Sequence, residues 1–99
     1  DGNPAQLKPA RDALVAAELA KLSGGALKLA ERARLLAETD PRLACHLVEF
    51  AVHAEPENKA VHQVRAEVYQ YRRTTETSLM AKGIFGSAAN QSRQISENE

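Results

Sequence analysis

The stretch that most constrains the fold is a helical hairpin at residues 39–71, which reads TDPRLACHLVEFAVHAEPENKAVHQVRAEVYQY. Asp40 can cap its first helix, and Pro41 suits the first helical position, where a missing N–H costs nothing. Pro56 cannot continue that helix, and Asn58 can cap the next one. Because so few residues join the two helices, they are predicted to lie side by side and antiparallel.

The spacing of apolar residues predicts five helices, at residues 9–22, 26–38, 41–55, 59–73 and 76–94. No useful run of alternating apolar residues predicts a strand, so the expected fold class is all-α, a five-helix antiparallel array. Residues 1–8 are expected to be a linker from a preceding domain, 9–94 a helical domain and 95–99 a disordered tail. The chain begins at Asp1 rather than Met, which is typical of a piece of a longer protein.

Large apolar residues define the expected core faces of the helices. The first helix places Leu14, Val15, Leu19 and Leu22 on one face, and the last places Ala81, Ile84, Phe85 and Ala88 on one face. The third helix is apolar almost all round, which is typical of a central helix. Gly83 and Gly86 in the last helix each cost about 1 kcal/mol relative to Ala, which indicates either a break or the close approach of another backbone.

The hydrophobic content of 43% is ordinary, but Ala dominates it, with two Phe, two Tyr and no Trp. Ala brings helices close together but buries little apolar area, so the core of an isolated chain is expected to be marginal. This composition favours a partner surface, either a second copy of the chain or a neighbouring domain.

Charge and cysteine content exclude several classes of protein. Thirteen basic and thirteen acidic residues give a net charge of zero, which argues against a nucleic-acid partner. No apolar run approaches the ~20 residues needed to cross a bilayer, so no membrane partner is expected. The single cysteine, Cys45, excludes an internal disulfide and weakly favours a reducing compartment such as the cytoplasm.

A strip of polar residues on the third helix, His46, Glu49 and His53, has spacings that suggest a metal site. His46 and His53 are about 10.5 Å apart along the axis, too far for one ion, and His62 adds no ligand spacing. A polar helix face is the better interpretation. Cys45 is expected to be a buried, unreactive thiol. No catalytic, cofactor-binding or metal-binding residue is therefore predicted in this chain.

Two tyrosines and three arginines on the fourth helix raise the possibility of an anion site. They are Tyr69 and Tyr71, with Arg65, Arg72 and Arg73. We interpret them instead as core tyrosines and a basic helix end, where cations suit the helix dipole.

The hairpin resembles a tetratricopeptide-like αα-hairpin. Ala44, Val48, Ala51 and Pro56 fall at the small, large, small and Pro spacing of the second helix of such a repeat, and Tyr69 falls at an aromatic position of the next repeat.

A second resemblance covers most of the chain. It is carried by Leu22-Ser23-Gly24-Gly25, Ala33-Arg34, Asp40, Leu47-Val48, Val52, Ala54-Glu55-Pro56-Glu57-Asn58 and Ala60, and the segments Arg65-Ala66-Glu67 and Gly83-Ile84-Phe85-Gly86-Ser87-Ala88-Ala89 are compatible with it. This pattern resembles the alkyl sulfatase dimerisation domain. The resemblance implies a helical module that pairs two subunits and follows a metallo-β-lactamase-fold catalytic domain with two zinc ions. No zinc ligand of that family falls inside these residues.

We therefore expect a homodimerisation module from a zinc-dependent hydrolase, which is not catalytic by itself and has a catalytic domain before it. The expected interface uses the third and fifth helices, through Leu43, Phe50, Leu79, Met80, Ile84 and Phe85. The alternative is a tetratricopeptide-like adaptor that binds a peptide of another protein through the strip His46, Glu49 and His53. A stand-alone enzyme is the least favoured hypothesis.

Overall fold

The computed structural model of this chain describes residues 12–98, and all of its regular elements are helices. They are α1 (Asp12–Ser23), α2 (Ala26–Leu36), α3 (Pro41–Ala54), α4 (Lys59–Thr74) and α5 (Leu79–Glu97). The predicted all-α helical array is confirmed. The predicted linker at residues 1–8 and the predicted helix start at residue 9 lie outside the described residues.

The hairpin of α3 and α4 forms with the predicted caps. The Asp40 carboxylate accepts a hydrogen bond from the Leu43 N–H at 3.1 Å, and the Asn58 side-chain oxygen accepts one from the Val61 N–H at 3.1 Å. Each cap satisfies a backbone donor that has no partner within its own helix. Local sequence signals thus fix where both helices begin.

The predicted first and last residues of α5 are both wrong. The helix begins at Leu79 rather than at Glu76, because Ser78 caps it by accepting from the Ala81 N–H at 3.2 Å. It continues to Glu97, so residues 95–97, expected to belong to a disordered tail, are helical here. Ser92 is fully buried, which shows that the C-terminal part of α5 packs against the rest of the domain.

α3 is the central helix of the array. α3 packs against α1, α2 and α4, whereas α1 packs against α2 and α3. Among the described helices, α5 packs against α4 alone. Because three helices of the same chain cover α3, its apolar circumference does not require a second copy. The helices at the two ends of the array, α1 and α5, are the least covered.

Small side chains fill the core. The buried apolar residues are Ala16, Ala20, Ala26, Leu29, Ala30, Ala33, Ala37, Ala44, Val48, Ala51, Val61, Val64, Ala66, Val68, Tyr69 and Ala89. The predicted core face of α1 is wrong in part. Leu19 packs against the core, but Leu14 and Leu22 are 61% and 84% exposed, and the buried residues of α1 are Ala16 and Ala20. The domain therefore buries small residues and keeps many of its larger apolar side chains on the surface.

None of the helices between Asp12 and Asn98 combines the length and the apolarity that crossing a bilayer requires.

Candidate self-association surface

The first turns of α5 extend beyond the end of α4. The two helices are antiparallel, since Arg65 of α4 bonds to Ser92 of α5 while Arg73 lies against Gly86. Residue 73 is almost the last of α4, and α5 has seven residues before Gly86. We call residues 79–84 the α5 arm. The array gives this arm no second helix to pack against in the described part of the chain.

The α5 arm exposes large apolar side chains. Leu79 is 85% exposed, Met80 77% and Ile84 61%. Phe85 follows the arm and is half-buried, with its ring 5.9 Å from that of Tyr69 in a stacked arrangement. Phe85 therefore anchors the arm to α4, and the three large apolar side chains that precede it, Leu79, Met80 and Ile84, are exposed.

The six residues predicted to form an interface lie on two helices that do not pack against each other. Leu79, Met80, Ile84 and Phe85 lie together on α5, whereas Leu43 and Phe50 lie on α3. Leu43 is 43% exposed. Phe50 is half-buried and packs against the core. α4 lies between these two helices, since it packs against both of them.

Large apolar side chains are also exposed at the other end of the array. They are Leu14 and Leu22 on α1 and Leu35 on α2, which is 73% exposed. Leu22 and Leu79 are almost equally exposed, at 84% and 85%. They are residues of the same type at opposite ends of the domain, and this makes them a matched pair for experiments.

Glu49 does not belong to a free polar strip. One of its carboxylate oxygens accepts hydrogen bonds from the Arg65 Nε at 2.7 Å and from the Tyr69 hydroxyl at 2.8 Å. His46 and His53 are exposed, and a ring nitrogen of His53 lies 2.7 Å from the backbone oxygen of Glu49. The three side chains therefore cannot act together as a row of peptide anchors, because Glu49 is bound within the domain.

A chain of hydrogen bonds holds the C-terminal half of α5 against α4. The Arg65 Nη1 donates to the Ser92 hydroxyl at 2.7 Å, and the Ser92 oxygen lies 2.9 Å from the Nδ1 of buried His62. The Nε2 of His62 lies 2.7 Å from the carbonyl oxygen of Pro56. Because a carbonyl oxygen can only accept, the His62 Nε2–H donates to Pro56, and the Ser92 hydroxyl is the hydrogen-bond partner of Nδ1.

The sequence reasoning missed His62 and Ser92 as structural residues. The available signal was a polar His62 beside Val61 in the apolar stripe of α4. Ser92 gave no signal, because it lies in a polar segment and its burial depends on the register between α4 and α5.

Burial raises the pKa of the half-buried Cys45 thiol above its usual value. A raised thiol pKa reduces the thiolate fraction, which makes Cys45 a poor nucleophile at neutral pH. Burial and the hydrogen bond to Glu49 also raise the pKa of the Tyr69 hydroxyl. Within residues 12–98 there is no cluster of three or more His, Cys, Asp or Glu side chains suited to a metal ion.

A shallow groove of about 700 Å³ runs along α4 and the last turns of α5. Its lining includes Gln63, Glu67, Gln70 and Tyr71 on one wall and Arg93 on the other. This groove, rather than the predicted strip on α3, offers polar side chains to an extended peptide.

Comparison with known proteins identifies the family. A family model described as alkyl sulfatase dimerisation matches residues 1–95, which is nearly the whole chain. No curated protein matches the chain, and no solved structure matches it. The match includes the hairpin and all of the α5 arm. The chain belongs to the alkyl sulfatase dimerisation family.

Proposed function

We propose that this chain is the homodimerisation module of a zinc-dependent, metallo-β-lactamase-fold hydrolase of the alkyl sulfatase type. In this proposal the module has no catalytic activity of its own, and zinc belongs to a preceding catalytic domain. The family match supports self-association. The distribution of apolar side chains supports a partner surface, because small residues are buried and several large ones are exposed.

The observation that carries the proposal is the exposure of Leu79, Met80 and Ile84 on an arm that extends past α4. Full burial of each such side chain is worth roughly 1.5–3 kcal/mol. Exposed apolar residues in a contiguous group are typical of interaction sites. A second copy that covers the arm would recover this free energy.

The proposed interface has its centre on α5. Phe85 fixes the arm to α4 through its stacking on Tyr69, so the arm is presented as a rigid element. In this proposal Leu43 and Phe50 are not at the centre of the interface. A second copy would contact them only if it also extended across to α3.

Sedimentation equilibrium of the 99-residue chain tests self-association. We expect a dimer at tens of micromolar protein. A chain that sediments as a monomer over that range would contradict autonomous dimerisation.

The hydrolase assignment needs a separate test on a longer protein that includes the preceding domain. We expect that protein to bind zinc and to hydrolyse a sulfate ester in a reaction that a chelator abolishes. The 99-residue chain alone should show no hydrolysis. Hydrolysis by the isolated chain would contradict the non-catalytic role.

The second candidate is the tetratricopeptide-like adaptor, and the groove along α4 is the observation that favours it. Gln63 and Gln70 lie two turns apart on this wall, and each primary amide can both donate to and accept from a peptide backbone. Titration of labelled protein with a panel of extended peptides would test this function by NMR. Shifts at these two residues would support an adaptor, and a panel without shifts would exclude it.

A further inference from the structure

A groove with a positively charged lining lies where the last turns of α4 meet the first half of α5. Its volume is about 430 Å³, and its lining residues are Gln70 and Arg73 of α4 with Lys82, Gly83, Gly86, Ser87 and Asn90 of α5. No Asp or Glu side chain of the described residues belongs to this lining. We call it the basic groove, and its charge suits a negatively charged ligand.

The domain does not neutralise the two cations of the basic groove. Arg65 and Arg72, the other arginines of α4, each form an ion pair with a glutamate. Neither Arg73 nor Lys82 forms an ion pair with a carboxylate of residues 12–98. Arg73 is exposed and Lys82 is half-buried, so both charges remain accessible to a ligand.

The basic groove explains both glycines of α5. Glycine is less favourable than alanine inside a helix, so each position calls for a reason. A Cβ atom at Gly86 would lie 3.2 Å from Cδ and Nε of Arg73, so glycine there lets the Arg73 side chain lie close against α5. Apart from its own stretch of helix, a Cβ atom at Gly83 would meet no atom of the described residues within 4 Å. Glycine at this position leaves part of the groove wall without a side chain, and a ligand can approach α5 closely there.

We propose that the basic groove binds a tetrahedral oxyanion, the phosphate or sulfate group of a ligand. This site lies within one copy of the chain and goes beyond the proposed dimerisation. A phosphate ester carries about 1.5–2 negative charges at neutral pH, which matches the two cations of the lining. Hydrogen bonds from Arg73 and Lys82 to its oxygens would be charge-assisted, and such bonds are about twice as strong as those between neutral groups.

Uncharged side chains of the groove can donate to the remaining oxygens of the ligand. The Asn90 Oδ1 accepts a hydrogen bond from the Arg93 Nη1 at 2.8 Å, which leaves the Asn90 NH2 group to donate. The Ser87 hydroxyl and the Gln70 side-chain amide belong to exposed residues and can donate as well. A tetrahedral group offers more oxygens than a carboxylate does, so it can use more of these donors.

NMR titration of the isotope-labelled 99-residue chain with sodium phosphate and sodium sulfate tests the site. Ionic strength is held constant with sodium chloride, because salt screens exposed charges. We expect saturable shifts at the backbone amides of Gly83, Gly86 and Ser87, and weaker binding of sodium acetate at the same site. Shifts that do not saturate, or acetate that binds as tightly as phosphate, would overturn the proposal.

Arg73→Gln should raise the phosphate dissociation constant at least about tenfold, because it removes a charged donor from the site. Arg32→Gln is the matched control, since Arg32 is an exposed arginine of α2 that forms no ion pair within residues 12–98. It removes the same charge from the chain and should leave the dissociation constant nearly unchanged. Equal dissociation constants for the two variants would contradict a site at Arg73.

Two alanine substitutions give a readout that leaves every charge in place. Both Gly86→Ala and Gly83→Ala raise helix propensity, so helicity by circular dichroism should be kept or increased. Gly86→Ala should nevertheless weaken phosphate binding, because its Cβ atom displaces the Arg73 side chain. Gly83→Ala should bind phosphate as wild type does, since its Cβ atom obstructs no side chain outside its own stretch of helix. If both variants bind as wild type does, the position of Arg73 against α5 does not create the site.

Methyl phosphate distinguishes the two sources of the oxyanion. Binding as tight as that of inorganic phosphate would support a site for a phosphate group carried on a larger molecule. Binding of inorganic phosphate or sulfate alone would support a site for the free ion. If none of the three anions gives saturable shifts in the basic groove, the proposal is overturned.

Discussion

Arg65 on α4 and Glu49 on α3 form an ion pair in which the Arg65 Nε lies 2.7 Å from a Glu49 carboxylate oxygen. The Arg65 side chain is only 12% exposed, and that of Glu49 is 34% exposed. The guanidinium also lies over the Tyr69 ring, 4.9 Å from its centre. Because Arg65 donates to Ser92 as well, one side chain connects α3, α4 and α5.

Removing the carboxylate should therefore destabilise the fold. Glu49→Ala leaves the Arg65 charge largely shielded from water, so we expect the free energy of unfolding to fall by about 3 kcal/mol. Urea denaturation followed by circular dichroism measures this value. The control is Glu31→Ala, whose ion pair with Arg34 has side chains 48% and 47% exposed and should contribute less than about 1 kcal/mol. Equal losses for the two variants would contradict the role given to Glu49.

Ser92→Ala should also weaken the attachment of α5. It removes the partner of the His62 Nδ1 and one acceptor of Arg65, and unsatisfied buried polar groups cost about 1–3 kcal/mol. Hydrogen exchange should show the C-terminal half of α5 opening more readily than in wild type. Ser87→Ala, at an exposed position of the same helix, should leave exchange nearly unchanged. If both variants behave alike, Ser92 does not hold α5 in place.

The raised pKa of the Tyr69 hydroxyl should make the stability of the fold depend on pH in alkaline solution. Burial raises the pKa of this phenol in the folded state above its usual value near 10, and the Glu49 hydrogen bond acts in the same direction. Above pH ~10 the unfolded chain loses the phenolic proton first, so the free energy of unfolding should fall as pH rises. Tyr69→Phe removes this contribution. The difference in stability between wild type and Tyr69→Phe should therefore shrink between pH 9 and 11, and a constant difference would contradict the raised pKa.

The helix boundaries of the hairpin were predictable from sequence because their causes are local. Asp40 and Asn58 each cap a helix that begins at the next residue, and Pro56 ends a helix without help from tertiary structure. The start of α5 was missed by three residues, since several polar residues before Leu79 could serve as a cap and Ser78 is the one that does.

Which residues of the end helices are buried could not be predicted from local patterns. On α1, both the large residues near Leu14 and the small residues Ala16 and Ala20 follow helical spacing. Close packing against α2 and α3 selects the small ones, and this choice depends on how near the helices approach. The contacts of Glu49 and Ser92 depend likewise on the register between helices, which no local pattern in the sequence specifies.

The most direct test of the central claim compares Leu79→Ser with Leu22→Ser in sedimentation equilibrium. The two leucines are 85% and 84% exposed, so neither substitution should disturb the core, and both remove the same apolar side chain. If the α5 arm forms the dimer interface, Leu79→Ser should raise the dimer dissociation constant by about tenfold or more, and Leu22→Ser should leave it near the wild-type value. A wild-type affinity for Leu79→Ser, together with a weakened dimer for Leu22→Ser, would contradict this assignment.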